Sequence, residues 1–411
     1  MKQYNKVSII LCLLIIVLLC AACQGRNPKN TAAGSMQGLN NSQQIEYTLN
    51  TGQVMARGEN GYYFIVGDFL FFAESDMSKV TPLCNKPDCL HYNETDPQRI
   101  INCNAYIGKT SSIGWQDGNL YLVSSMISAS DDVSSSALIK VSPDGSGREA
   151  VLKFDNFTTC ITLHNGYVYY VENYYDAAGT SVCNLLRRSL RNLKESELIY
   201  KCSLEDASIN YLMCVDDKAY FTEFSPSKMV YKAIMVDVNT AVATRLFTDS
   251  DDVLPSFCAN RNALYCNLFP FLAGGENGNY EQYSLSGERI GTFVEGVPTT
   301  QKLIVDETNY YLIDLGWKID TIPKDGLYME VYDLESHEKL ASVPLNNIGK
   351  NPDILPGDDQ FLFAYSFEPE KISIYYLDKS SLQKKAPTFK ELLSLPTRII
   401  QPSLVIKDGE E

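Results

Sequence analysis

Four side chains in one short stretch carry the plainest chemistry in this sequence: Cys84, Cys89, His91 and Cys103. Three thiols and an imidazole are the donor set of a closed tetrahedral zinc site, since soft sulfur and borderline nitrogen ligands suit a d10 cation. The spacing, C-x4-C-x-H-x11-C, is looser than in zinc ribbons, so Cys103 has to fold back onto the Cys84–His91 turn. Pro87-Asp88 supplies a turn for the first part, and Asp96 with Pro97 a reversal for the second. A metal held there is structural, because four protein ligands leave no position open for substrate. Two other readings fit the same residues: a disulfide between two of the cysteines with the third left over, and a reactive thiol. Export favours disulfides. Setting Cys12, Cys20 and Cys23 aside leaves nine of the twelve cysteines, an odd number that cannot pair completely.

The remaining cysteines, Cys160, Cys183, Cys202, Cys214, Cys258 and Cys266, lie in or beside apolar strand text and read as small buried hydrophobes. Cys258 and Cys266 flank a hairpin, which makes them the best alternative disulfide. Acid–base chemistry has few starting points. The three histidines are His91, His164 and His337, the last two in polar turns expected to be solvated. No Gly-x-Ser-x-Gly elbow, phosphate-cradling loop or His-Glu-x-x-His is present. Paired carboxylates occur at Asp131-Asp132, Asp216-Asp217, Asp251-Asp252 and Asp358-Asp359. Two of them facing a channel could act as acid and base on a sugar, but turn aspartates more commonly satisfy local backbone donors. Asp249-Ser250-Asp251-Asp252 lacks the remaining ligands of a calcium loop. For recognition, Tyr174-Tyr175, Phe269-Pro270-Phe271, Trp115 and Trp317 offer stacking surfaces. The glycine-rich stretch 269–279 is the best candidate for an exposed loop.

The elements that must position these groups are written in a repeat. A polar turn followed by a run of β-branched and aromatic residues reads as a strand, as in Asn165-Gly166 before Tyr167-Val168-Tyr169-Tyr170. The phrase starts at Asp68, Asn119, Gly166, Lys218, Asn262, Asn309 and Gln360, with spacings of 51, 47, 52, 44, 47 and 51 residues. A period of this length with several strands per unit marks a β-propeller. Each unit adds a second hairpin, such as 137–152 with Pro143-Asp144-Gly145 at its tip, and a short strand before the core strand. Four strands per unit, in seven units between about Gly61 and Ser394, are the expectation, with six or eight as alternatives. The segments 46–55 and 398–406 are expected to share a closing blade, and helical spacing shows only near Phe389 to Leu395.

The chain of 411 residues, 45% hydrophobic with 26 tyrosines, can bury a large core. Length alone suggests two or three domains, but the repeat overrides this because one all-β propeller absorbs the whole count. The formal net charge of −15 repels phosphate backbones, so nucleic acid is an unsuitable partner. Residues 1–23 form a leader, with Lys2 and Lys6 ahead of an apolar core. Residues 24–44, rich in Asn, Gln, Ser and Gly, form a flexible tether with a root-mean-square span of ~25 Å. The propeller is expected over 45–411.

Two resemblances follow. Leu19-Cys20-Ala21-Ala22-Cys23 resembles a bacterial lipoprotein signal, which implies a lipid on Cys23 and a protein anchored on the outer side of the cytoplasmic membrane. A plain secretory signal with an incidental cysteine is the alternative. The units resemble the TolB-like and low-density-lipoprotein-receptor-like propellers of exported lipoproteins from Clostridia-type bacteria. The match rests on Asp117-Gly118-Asn119-Leu120-Tyr121, the Asp144-Gly145-Ser146 hairpin, and Cys84-Asn85-Lys86-Pro87-Asp88-Cys89-Leu90-His91 with Cys103-Asn104-Ala105-Tyr106. The expected function is a membrane-tethered binding or scaffold module that recognises a protein, peptide or glycan through one propeller face. The competing expectation is an extracytoplasmic carbohydrate hydrolase or lyase using channel carboxylates.

Overall fold

Seven antiparallel sheets, each built on a meander of four consecutive strands, make up the computed structural model. It describes residues 46–47 and 54–397, apart from 109, 128–133, 247–252, 271–276, 299, 316–325, 350–351 and 385. The leader, Cys23, the tether and residues 398–411 therefore lie outside the described residues. Blade 1 consists of Met55–Arg57, Gly61–Val66, Phe69–Glu74 and Val80–Pro82. Blades 2 to 6 begin at Thr110–Gln116, Phe157–His164, Ser208–Val215, Val253–Ala259 and Gln301–Val305. Blade 7 consists of Asp353–Leu355, Phe361–Phe367, Lys371–Asp378 and Lys390–Pro396. The chain is a seven-bladed β-propeller.

The sequence dictates this locally. Second strands such as Lys218–Ser225 are buried on both faces, so they read as unbroken apolar runs, whereas fourth strands such as Asn192–Lys201 are mostly exposed. Asp117-Gly118 and Asn165-Gly166 both take positive φ at two successive residues, the geometry that matches a two-residue turn to strand twist. No four-stranded sheet covers its own two faces, and here each does so against its neighbours. Seven apolar clusters among the described residues fill the seven seams. Tyr63, Ile113 and Leu122 join blades 1 and 2; Tyr62, Phe64, Phe363 and Ile374 close the ring between blades 7 and 1.

Strand polarity sorts the connections onto two ends. Hairpins joining strands 1–2 and 3–4 share the tight-turn end. Loops joining strands 2–3, and the links between blades, share the variable end. Among the described residues the longest of these is the link that follows Pro82 and leads to blade 2. A two-residue strand, Glu46–Tyr47, adds to the axial edge of blade 4, with Glu46 opposite Cys214 and Tyr47 opposite Met213.

Three expectations need correction. In the first unit the phrase beginning at Asp68 falls on the third strand, because the first hairpin turns at Gly58–Asn60 and two doubly buried strands follow each other. The stretch near Phe389 to Leu395 is the outermost strand of blade 7. A register shift in its pairing lets the consecutive Leu392 and Leu393 both pack inward, which imitates helical spacing. Glu46–Tyr47, expected to help complete a closing blade, pair with blade 4 instead, and Met55 opens blade 1. The other half of that expected clasp, 398–406, lies outside the described residues.

Candidate metal centre

The link 83–109 leaves the edge of blade 1 and returns at blade 2. Pro87 and Asp88 turn it, His91–Asn93 form one 3-10 turn, and Pro97–Ile101 form a short helix. Asp96 caps that helix by accepting from the Gln98 N–H at 2.9 Å, with Pro97 at the first helical position. Glu94 holds the preceding bend, accepting from the N–H groups of Thr95 and Asp96 at 3.0 and 3.2 Å and pairing with Arg99 at 3.1 Å. The helix then delivers Cys103, whose N–H donates to the Ile100 carbonyl at 2.9 Å. Lys86 Nζ donates to the Asn102 carbonyl, and Asn104 Nδ2 donates to Asn85 Oδ1 at 2.8 Å, so the two halves are stitched together.

This brings all four predicted side chains to one point. The ligand atoms of Cys84, Cys89, His91 and Cys103 lie within 4.8 Å of one another, with Cys103 Sγ 3.5 Å from His91 Nδ1. Cys103 is buried and the other three are half-buried. The nine described cysteines are free. Burial pushes the Cys84 thiol up, but the N–H groups of Lys86 and Asn104 donate to its sulfur, helped by Cys103 and Cys89, and hold it below its ordinary range. The Cys103 thiol is pushed up to about 12, first by burial and then by Cys89, against a donated Ala105 N–H. Burial lowers His91, which keeps the ring neutral and its lone pair available. The set can therefore hold a soft divalent cation.

One residue of this neighbourhood carries no sequence signal. Arg148, at the start of the fourth strand of blade 2, reaches the Tyr106 carbonyl with Nη1. Its Nε and Nη2 atoms are buried and find no acceptor among the described residues. Burial lowers the pKa of its guanidinium, with the neighbouring sulfurs of Cys103 and Cys84 working in the opposite direction.

The other predicted residues are dispersed. Cys258 and Cys266 sit on opposite faces of their sheet: Cys258 pairs with Tyr265 and packs toward blade 6, while Cys266 packs toward blade 4. They cannot be the cross-strand pair expected of them. Cys183 and Cys202, by contrast, close a hydrogen-bonded cross-strand position, with Cys202 N–H donating to the Cys183 carbonyl at 3.0 Å. His164 is not a solvated turn residue: its Nε2 is 2.7 Å from the Asp216 carbonyl of the next blade, and burial lowers its pKa. His337 is exposed and lies against Phe293 at 5.0 Å. Trp115 stacks on Tyr63 at 5.4 Å across a seam and serves packing. Asp358 is held by Arg57 at 2.7 Å and by the Tyr62 hydroxyl. Asp131-Asp132, the 249–252 stretch, Phe271 and Trp317 lie outside the described residues.

A second feature shares the variable end. The only exposed aromatics among the large exposed hydrophobics of the described residues are Phe157, Tyr175 and Phe367, and all three stand at strand ends there. A cleft of ≈ 360 Å³ runs along the seam of blades 7 and 1, lined by Phe69, Tyr92, Tyr365, Phe367, Ile372 and Leu395. Tyr92 belongs to the cysteine loop, which thus forms one wall.

The class of protein defined so far is a seven-bladed propeller carrying a cysteine–histidine loop on its variable end. No protein-family model matches the chain, and no curated protein matches its sequence. Among solved structures it is similar to a prolyl endopeptidase, with 10% identity over 87% of this chain and 51% of that one and a TM-score of 0.56. It is also similar to puromycin hydrolase, with 9% identity over 85% and 55% and a TM-score of 0.52. TolB from Acinetobacter baumannii aligns at 12% identity over 84% and 78% with a TM-score of 0.40. The chain spans about half the length of the two hydrolases, and the likeness is one of fold.

Proposed function

We propose that this protein is a binding or scaffold module, anchored by a lipid on Cys23 at the outer side of the cytoplasmic membrane. It recognises a protein, peptide or glycan through the variable end of the propeller. The observation that carries the reading is the placement of Phe157, Tyr175 and Phe367, exposed by 67%, 77% and 65%, on that one end. Exposed aromatics are costly to leave in water and effective in recognition, because they combine apolar area with low conformational entropy. The aromatic cleft beside Phe367 gives a ligand a concave seat. Support for the anchor comes from the leader and its terminal cysteine. Among the described residues no helix is long and apolar enough to cross a membrane.

The test uses the full-length protein isolated from membranes in detergent, probed on peptide and glycan arrays and by cross-linking to copurifying partners. The triple variant Phe157→Ala, Tyr175→Ala, Phe367→Ala should lose the ligands that wild type retains, with an unchanged thermal midpoint. Val242→Ala with Ile290→Ala, on outer strands, should keep them. Binding that survives the triple variant defeats the face assignment. Mass spectrometry of the mature N-terminus, with Cys23→Ser as control, decides the anchor: an unacylated Cys23 in the native protein removes it.

A further inference from the structure

We propose that Cys84, Cys89, His91 and Cys103 bind one zinc ion in a closed tetrahedral site, and that this ion locks the loop that buttresses ring closure between blades 7 and 1. The inference stands independently of the binding reading. Geometry is the first ground. Zinc–sulfur bonds of ~2.3 Å and zinc–nitrogen bonds of ~2.0 Å at tetrahedral angles put ligand atoms about 3.5–3.8 Å apart. The observed Cys103 Sγ to His91 Nδ1 separation is 3.5 Å, and all four ligand atoms fall within 4.8 Å. A ring nitrogen and three sulfurs therefore already stand at the corners of a ligand shell, with Nδ1 as the coordinating nitrogen.

Charge is the second ground, and it separates metal from disulfide. Three thiolates and a neutral imidazole around a divalent cation carry a net charge of minus one; the three thiol protons leave on binding. A disulfide with a leftover thiol is neutral. The guanidinium of Arg148 is buried beside this cluster with Nε and Nη2 unpartnered among the described residues. A buried cation without a counter-charge is destabilising, and the anionic zinc–thiolate centre is the counter-charge it requires.

The role follows from position. Among the described residues no strand is exchanged between blades 1 and 7, and the 7–1 seam is held by side chains. Cys103, Ala105, Tyr106 and Ile100 of the loop belong to the apolar cluster of that seam, together with Phe363, Ile372 and Leu395. Tyr106 packs edge-on against Phe69 at 5.5 Å, and Tyr92 against Phe71 at 5.9 Å. Fixing the loop fixes this packing.

Full-length protein, purified under reducing conditions without chelators or a histidine tag, should carry one equivalent of zinc by elemental analysis. Replacement by cobalt should give the visible bands of a tetrahedral site and sulfur-to-cobalt charge transfer in the near ultraviolet. Cys84→Ser and Cys103→Ser should lose the stoichiometric metal. Arg148→Gln should weaken zinc binding about ten-fold or more in chelator competition. Chelation should speed hydrogen exchange in Gly61–Val66 and Phe361–Phe367 while leaving Lys218–Ser225 of blade 4 unchanged. Wild-type protein without metal or cobalt bands, or a native disulfide among Cys84, Cys89 and Cys103, overturns the site. Acceleration spread evenly over all blades overturns its role at the seam.

Discussion

Lys379 is a residue this chain gives up only at high cost. Its ammonium lies 2.7 Å from Asp306 Oδ2, the two side chains being 8% and 14% exposed, and it also donates to the Asp358 carbonyl. The Tyr311 hydroxyl donates to the same carboxylate at 2.5 Å. Lys379→Met strands that carboxylate, so it should cost about 3–5 kcal/mol by chemical denaturation, and adding Asp306→Asn should recover much of the loss. Burial raises the Asp306 carboxyl, but Lys379 and the donated hydrogen bonds outweigh it and leave it below its ordinary value. A depressed carboxyl stabilises the fold above the unfolded value of about 4 and loses that contribution as pH falls through its folded value. Acid-side titration of stability in wild type and the double variant should therefore diverge below about pH 4; parallel curves would refute the assignment. Residues of this kind differ in legibility. The meeting of Cys84, Cys89, His91 and Cys103 was readable because three thiols and one of only three imidazoles stood within one loop. Arg148 and Lys379 were not, since a lone cation on a strand or turn reads as a solvated charge until the fold brings its neighbours in.

Elements in this chain are specified mainly by their turns. Asn260, fully buried, accepts from the N–H groups of Asn262 and Ala263 at 2.9 and 3.0 Å and donates to the Asp306 carbonyl of the next blade at 3.2 Å. One side chain thus closes a hairpin of blade 5 and ties it to blade 6. Asn260→Ala leaves these buried groups unpaired and should cost roughly 1–3 kcal/mol. At Asn119, whose side-chain amide only donates to the Asp117 carbonyl of its own exposed turn, alanine should change the denaturation midpoint little. Equal effects at the two sites would deny the inter-blade role. The same dependence on turns explains what the sequence made visible. Asp117-Gly118 and Asn165-Gly166 marked their hairpins unambiguously. In blade 1 the Gly67-Asp68 turn also preceded an apolar run, and nothing local distinguished a second strand from a third when both are buried on two faces. In blade 7 a bulge let adjacent leucines share a side, which defeated the period-two signal.

At the scale of the whole molecule, a ring of seven blades has seven seams but only six covalent crossings between blades. Six seams are bridged by the chain itself, while the seam of blades 7 and 1 depends on Tyr62, Phe64, Phe361 and Phe363, on the salt bridge of Arg57 with Asp358, and on the cysteine loop. Among the described residues no linker crosses that seam, which makes it the natural site of sub-global opening. Phe363 is fully buried, with ring centroids 5.2 Å from Tyr62 and 5.3 Å from Phe64. Phe221, equally buried, fills the seam of blades 3 and 4. Phe363→Ala and Phe221→Ala should each cost about 3–5 kcal/mol, because each removes the same buried ring. Their signatures should nevertheless part in native-state hydrogen exchange under rising denaturant. With Phe363→Ala, amides of Gly61–Val66 and Phe361–Phe367 should exchange through a local opening well before those of blade 4. With Phe221→Ala, the covalent link between blades 3 and 4 should keep exchange close to the global limit throughout. The same exchange pattern in both variants would mean that the closing seam is no weaker than the others, and that a propeller closed by side chains behaves as one cooperative ring.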